Sequence, residues 1–291
     1  VKLSIFHRTR YDYGSPVKGS FNEARLQPVS DGGQTCHSFS LQVWPSPEFR
    51  LYRDYYGNIV HCFELPEPHS CLQVESKAVV STRPSSLPED SELAPLTDLS
   101  GLANNPECFD FLQTSSMLSV DAEVGRLARK AALHPHAANG HRPPPKNVWQ
   151  TALALRRFIH ANFTYSPQTT DADTPMNEVL RTRRGVCQDF AHVMIGMCRA
   201  LQIPARYVSG YIYNGPHDHL LGSQASHAWC EIYLPGFGWR GLDPTNNTQA
   251  DEHHVKIGVG RDYADIIPVK GHYHGTNQKT MTIEVEIAET F

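Results

Sequence analysis

The sequence predicts an α+β chain: an N-terminal antiparallel β-sandwich over residues 1–83, an irregular linker over 84–118, and a second unit over 119–291 with a central helix packed on an antiparallel sheet. Three observations predict it. Residues 1–83 break into short β-rich runs separated by Gly, Pro and Asp turn signals. Residues 187–201 are apolar on nearly every helical face, which marks a helix buried in the middle of a domain. The tail alternates, with Met281, Ile283, Val285 and Ile287 on one side and Thr280, Thr282, Glu284 and Glu286 on the other, as a half-buried strand closing a sheet does.

Taken in order, Leu3-Ile5, Phe39-Leu41-Val43, residues 59–65, and Leu72-Val74 with Val79-Val80 are the first strands, parted by Tyr13-Gly14-Ser15-Pro16, Asp31-Gly32-Gly33 and Pro45-Ser46-Pro47. Asp54-Tyr55-Tyr56-Gly57-Asn58 is a hairpin signal, because Gly and Asn accept the positive φ of tight turns. Four prolines amid Ser, Asp and Glu make 84–118 a linker. Residues 119–133 carry Val120, Val124, Leu127, Ala128 and Ala131 on one helical face, and Asn147 caps a second helix running to about Asn162. Thr174-Pro175 opens a short third helix. Pro204 follows the central helix; strands are expected over 205–213, 225–234 and 239–242, with Pro235-Gly236-Phe237-Gly238 turning the last pair.

Composition removes several function classes. Hydrophobic residues are 40% and charged residues 19% of 291, which excludes wholesale disorder. The 26 Lys and Arg against 30 Asp and Glu give a formal charge of −4, unlike the clearly basic balance of a dedicated nucleic-acid binder. No apolar run reaches the ~18 residues that span a bilayer, and residues 1–8 alternate like a strand rather than a secretion signal. Seven cysteines without a regular framework read as reduced thiols of a cytoplasmic protein.

Three residues have complementary settings. Cys187 opens the central helix, where unpaired N–H groups and the helix dipole favour a thiolate and can hold an oxyanion. His227 lies on the following strand and Asp243 at the end of the next. Nucleophile, base and orienting carboxylate are the logic of thiol acyl transfer. For His227 and Asp243 to meet, the hairpin between them needs an odd register: a turn over 234–238 pairs Tyr233 with Trp239 and sets Asp243 diagonal to His227, roughly 7–8 Å apart at Cα. A four-residue turn puts Asp243 on the wrong face. Tyr165 and, as a weaker alternative, Gln188 are expected oxyanion partners beside the Cys187 amide, and Trp229 shares the His227 face and can shield the imidazole. Cys198 and Cys230 are read as core, His192 as a structural histidine and Asp189 as a capping residue.

These residues carry a family resemblance. Arg184-Gly185-Val186-Cys187-Gln188-Asp189-Phe190-Ala191, Leu201-Gln202-Ile203-Pro204-Ala205-Arg206, Ser226-His227-Ala228-Trp229, and Gly238-Trp239 with Leu242-Asp243-Pro244-Thr245 resemble, in this order, the transglutaminase-like core. That is a branch of the papain-like thiol enzymes that includes candidate cysteine proteases of bacteria. Asp54 to Asn58 and the Phe63 strand resemble its bacterial N-terminal β domain, and Val259-Gly260-Arg261-Asp262-Tyr263-Ala264-Asp265 resembles the bacterial subgroup. The resemblance implies a papain-like fold and a Cys187–His227–Asp243 triad. Gln188 stands where animal transglutaminases have a tryptophan, and no calcium-binding loop is evident, which argues against calcium-dependent crosslinking.

The expected activity is hydrolysis of a peptide or amide bond through a thioester acyl-enzyme, on a peptide or protein substrate, with no cofactor, nucleic-acid or membrane partner. Transfer of the acyl group to an amine and a non-catalytic peptide-binding module are the alternatives. A metal hydrolase is the third, built on His134-x-His136, His217-x-His219, His253-His254 or His272-x-His274. Those pairs lack metal-site spacing on a helix and read as solvated surface histidines, so no metal ligand is assigned.

Overall fold

The computed structural model describes every residue except 85–94, 96–98, 100, 134–144, 168, 216–225, 277 and 291. One long strand organises its first sheet. β1 (Lys2–Ala24) pairs over its first half with β5 (His69–Thr82) and β14 (Lys279–Glu289), and over its second with β4 (Ile59–Leu65) and β13 (Val269–His274). β2 (Gln34–Trp44) and β3 (Phe49–Arg53) extend the two halves, and every pairing is antiparallel. The segment Tyr13-Gly14-Ser15-Pro16, expected as a turn, instead lies inside β1, where the register with β5 shifts between Asp12 and Val17. Such an irregularity bends a strand. Here it lets Leu72 and Val74 from one half share a core with Phe63, Leu65 and Val269 from the other. The two layers expected of a sandwich are the halves of one curled antiparallel sheet.

The Asp54 hairpin forms as expected. Asp54 Oδ1 accepts the Tyr56 and Asn58 N–H groups, both at 3.0 Å, and Gly57 takes φ +81°. β13 and β14, which the sequence assigns to 119–291, return to the first sheet. The apolar side of β14 is covered only in its second half: Val285 and Ile287 are half-buried beside Leu3, Tyr211 and Val255, while Met281 and Ile283 are exposed. The cover is the second unit, which abuts that end alone.

In the second unit α2 (Val148–Asn162) starts at its expected Asn147 cap, whereas α1 (Ala122–Leu133) starts three residues later than the expected 119, with Asp121 as its cap. Asp121 Oδ1 accepts the Glu123 and Val124 N–H groups at 2.9 Å, and Asn147 Oδ1 accepts that of Gln150 at 2.8 Å. β6 (Thr164–Tyr165) runs parallel to β7 (Arg184–Gly185), with α3 (Met176–Thr182) between them, and α4 (Cys187–Ala200) follows. The second sheet has the order β11-β10-β9-β8-β12, from Thr248–Gln249, Gly238–Asp243, His227–Leu234, Ala205–Ile212 and His254–Gly260. α4 is buried between Leu155 and Ile159 of α2 and Ala228, Cys230 and Ile232 of β9. Each large apolar side chain it buries is worth about 1.5–3 kcal/mol, so a helix without a polar face is stable there. No described helix is long and apolar enough to cross a membrane.

β9 and β10 pair Tyr233 with Trp239 and Leu242 with Cys230, which is the odd register the geometry requires; the ladder runs one pair further than expected, to Leu234 and Gly238. β12 is not among the expected strands, although Val255, Ile257 and Val259 alternate, and it forms the edge of this sheet. Its outward backbone groups are taken by two amides of the first sheet. Gln34 Nε2 donates to Lys256 O at 2.8 Å and Oε1 accepts from Lys256 N at 2.7 Å; Asn58 does the same with Val259 O and N, both at 2.8 Å. The edge is thereby closed. A Cβ on Gly258 would collide with Asn58 Oδ1.

Candidate active site

Cys187 is the first residue of α4, and the chain reaches it through Gly185, whose missing Cβ leaves room for the Asp189 carboxylate. Asp189 Oδ2 accepts the Val186 N–H at 2.8 Å and the Thr170 hydroxyl at 2.6 Å, so it caps the turn that presents the cysteine. The side chain of Cys187 is half-buried. The N–H groups of the first helical turn have no intrahelical acceptor and point past it.

His227 is the first residue of β9 and is buried; Asp243 is the last of β10 and fully buried. The register brings them together: His227 Nε2 lies 2.8 Å from Asp243 Oδ2. Asp243 is held by its own turn as well. Oδ1 accepts the N–H groups of Thr245 at 2.8 Å and Asn246 at 3.2 Å, and Oδ2 accepts from Asn246 Nδ2 at 2.8 Å. Burial opposes charge on both partners. The Asp243 charge and hydrogen bond, with a further contribution from Cys187, outweigh burial at His227 and push its imidazolium up to about 10. The same pairing outweighs burial at Asp243 and holds its carboxyl well below the usual range. His227 Nδ1 is buried without an oxygen or nitrogen partner. Since Nε2 is taken by Asp243, Nδ1 is the ring nitrogen available to the sulfur.

Trp229 stacks on the imidazole, ring centroids 6.1 Å apart at 26°. A Cβ at Gly210 would strike both the Trp229 ring and Val255 O, so the glycine makes that stacking possible. Tyr165 is half-buried at the β6–β7 pair, edge-on to Phe190 at 6.4 Å. Burial, and after it the charge of Cys187, raises its hydroxyl, which places that oxygen within the field of the sulfur. Gln188 is turned elsewhere: its Nε2 donates to Ala172 O at 2.8 Å. Cys198 and Cys230 lie in the core, where burial pushes Cys198 up to about 12. His192 Nε2 accepts the Tyr263 N–H at 3.2 Å.

Sequence reasoning missed three neighbours. Tyr207 on β8 is buried, and its hydroxyl is raised by burial and then by the Cys187 charge. Asn246 braces the carboxylate from the turn Asp243-Pro244-Thr245-Asn246, where a polar residue soon after an Asp was the available signal. His254 is the third, and a correction: expected as a solvated surface histidine, it is buried, with Nε2 3.6 Å from Asp243 Oδ2. The ring turns inward because β12 begins at His254. Of the other expected pairs, His272 and His274 are exposed on β13, and those at 134/136 and 217/219 lie outside the described residues. His227, Asp243 and His254 bring three donor atoms within 4.8 Å of one another, a spacing a metal ion could share. In the present geometry the Asp243 oxygens are already met by three donated N–H bonds and two imidazole nitrogens.

A helix that opens on a cysteine, packed on an antiparallel sheet whose neighbouring strands β9 and β10 carry a histidine and an aspartate in contact, defines a papain-like fold of the thiol-dependent class. The chain belongs to the transglutaminase-like superfamily. Residues 136–244 match the Transglutaminase-like superfamily and residues 3–81 the Bacterial transglutaminase-like N-terminal region. It is 35% identical over 289 residues to an uncharacterised protein of Mycobacterium leprae, covering 98% of each chain. A candidate cysteine protease from Cytophaga hutchinsonii is similar in structure, with a TM-score of 0.76, 27% identity, and 99% of this chain and 90% of that chain covered. A protein-glutamine gamma-glutamyltransferase of Pseudomonas aeruginosa is 37% identical over 123 residues, 40% of this chain and 18% of that protein. Membership and these likenesses support thiol-dependent catalysis in general.

Proposed function

We propose that the chain hydrolyses peptide or amide bonds, with Cys187 as nucleophile, His227 as acid and then base, and Asp243 as the group that orients the imidazole. One observation carries the reading: a buried His227 ring whose Nε2 is held 2.8 Å from Asp243, leaving Nδ1 for the cysteine that opens α4. The Cys187 thiolate attacks the carbonyl carbon, and the oxyanion is held by first-turn N–H groups with the Tyr165 hydroxyl alongside. The tetrahedral adduct collapses to a thioester as the His227 Nδ1 proton passes to the leaving amine. Neutral His227 then takes a proton from water, whose oxygen attacks the thioester and frees the acid and the thiolate. Water needs no second binding site, which favours hydrolysis. The likeness to the Pseudomonas aeruginosa gamma-glutamyltransferase supports a second reading, in which an amine replaces that water.

All seven cysteines are unpaired, which supports a reducing, cytoplasmic setting. The test is incubation with a peptide library, with and without a free primary amine, read by mass. Cleavage without amine, lost in Cys187→Ala, is the expected result. Amine adducts at the expense of cleavage would select the second reading, and activity surviving in Cys187→Ala would overturn both.

A further inference from the structure

We infer that His254 is a positioning residue for this reaction: it braces the Asp243 carboxylate beside His227, at the same Oδ2 oxygen, in a chain His227–Asp243–His254–Asp251. The inference rests on the triad reading. His254 Nε2 lies 3.6 Å from Asp243 Oδ2 and has no hydrogen-bond partner among the described residues, so its one polar neighbour at that end is the carboxylate. Its other nitrogen, Nδ1, sits 3.0 Å from Asp251 Oδ1. A ring held at both ends by acids, with its side chain only 3% exposed, is built to stay in place. Trp229 fills the angle between the two histidines, edge-on to His254 at 5.3 Å and stacked on His227, so the three rings form one packed unit around the acid.

The charges facing this ring come from every element around it. Asp243 and Asp251 favour its proton and His227 opposes it. On its other side His254 lines a cavity of about 430 Å³ shared with Asp31, Arg83, Arg206, Glu231, Arg240 and Lys256. Arg206 and Lys256 are paired with Glu231, and Lys256 also with Asp31. The acids outweigh burial and His227 and raise the imidazolium above its ordinary value. A proton on His254 places positive charge against Asp243 at 3.6 Å, which keeps that carboxylate ionised and aimed, while the cavity gives the proton a route that bypasses the cysteine.

The experiment uses the full chain and measures the rate of iodoacetamide alkylation of Cys187 by mass spectrometry from pH 5 to 9. Half-exposed Cys36, Cys62 and Cys71 serve as reference thiols, and buried Cys108, Cys198 and Cys230 report folding. His254→Phe is expected to slow Cys187 about tenfold at pH 6, as loss of an outer partner of an active group typically does, and to shift its pH profile; the reference thiols stay unchanged. His254→Gln, which keeps a donor toward Asp243, restores most of the rate, and Asp251→Asn lies between. If His254→Phe exposes the buried thiols, Asp251→Asn decides. An unshifted profile with a wild-type rate in whichever variant decides overturns the inference. His227→Ala separates the two readings: a wild-type Cys187 rate there sinks the triad itself, whereas a slowed rate beside an unaffected His254→Phe sinks only the role of His254.

Discussion

Replacing Asp243 by Asn removes a charge at nearly constant shape and isolates what the carboxylate does. In the native protein the Asp243 charge and the hydrogen bonds to the ring outweigh burial, and His227 is pushed up to about 10. Without that charge the opposing burial brings the ring to its ordinary ~6.5 or lower. At pH 8 a group titrating near 10 is about 99% protonated and one at ~6.5 about 3%. Protonation alone therefore costs at least ~30-fold in any step that needs the imidazolium. The alkaline limb of the pH–rate profile moves from near 10 to below ~7. NMR titration of the His227 ring and the profile for cleavage of a library peptide measure the two effects separately. Stability supplies a third readout with a definite sign. Because the folded value is raised, its contribution is complete below ~6.5 and is lost as pH climbs toward about 10. The melting-temperature gap between the native protein and Asp243→Asn closes over that window. A variant ring that titrates within one unit of the native one, or an unmoved alkaline limb, refutes the reasoning.

Two further outcomes follow from the contact between the sheets. Asn58→Ala strands the N–H and C=O of Val259, two groups held at 2.8 Å; at ~1–3 kcal/mol per unpaired buried group, urea unfolding should show a loss of about 2–6 kcal/mol, and a loss below ~0.5 kcal/mol would disprove the role of that amide. His7, whose Nδ1 lies 2.7 Å from the Tyr211 hydroxyl, is held down to about 4 by burial. The unfolded chain binds that proton first, so stability falls as pH drops from ~6.5 toward 4, by about 2 kcal/mol at pH 5; His7→Gln should flatten that slope in thermal melts at pH 7 and pH 5.

What was legible in the sequence is what local chemistry writes down. Asn147 caps α2 because its side chain can reach Gln150 N, three residues away. The contact of His227 with Asp243 was accessible because strand alternation and one turn fix which side chains share a face. The parts that escaped depend on distant chain. Nothing near Tyr13-Gly14-Ser15-Pro16 says that a strand will run through it; Gly14 N donates to Gln278 O, supplied from the other end of the chain. β12 was missed although Val255, Ile257 and Val259 alternate, because Gly258 and Gly260 leave the pattern short; partners on β8 and the amides of Gln34 and Asn58 complete it as a strand. His254 was misread for the same reason, since only once β12 is paired does its first residue turn toward Asp243.

The first sheet meets β8 through His7 and Tyr211, and it is coupled to the candidate site through the edge strand β12. β12 begins at His254, pairs on its inner side with β8, and on its outer side is held by Gln34 and Asn58. Two residues on, Lys256 Nζ bridges Asp31 of the first sheet's connecting loop, at 2.8 Å, and Glu231 of β9, at 2.7 Å. Arg206 and Lys256 outweigh burial at Glu231 and hold it down to about 2, so this network stays charged across the neutral range. Glu231 lies on the same strand as His227 and alternates to the same face. A displacement of the first sheet would reach the imidazole by two routes: through β12 to His254 and Asp243, and through Lys256 and Glu231 along β9. The surroundings of His227 and Asp243 are thus linked through β12 to residues 1–83, although none of those residues touches His227 or Asp243 in any hydrogen bond or ion pair among the described residues. That link gives the N-terminal sheet a role that a tethered, independent module would not have.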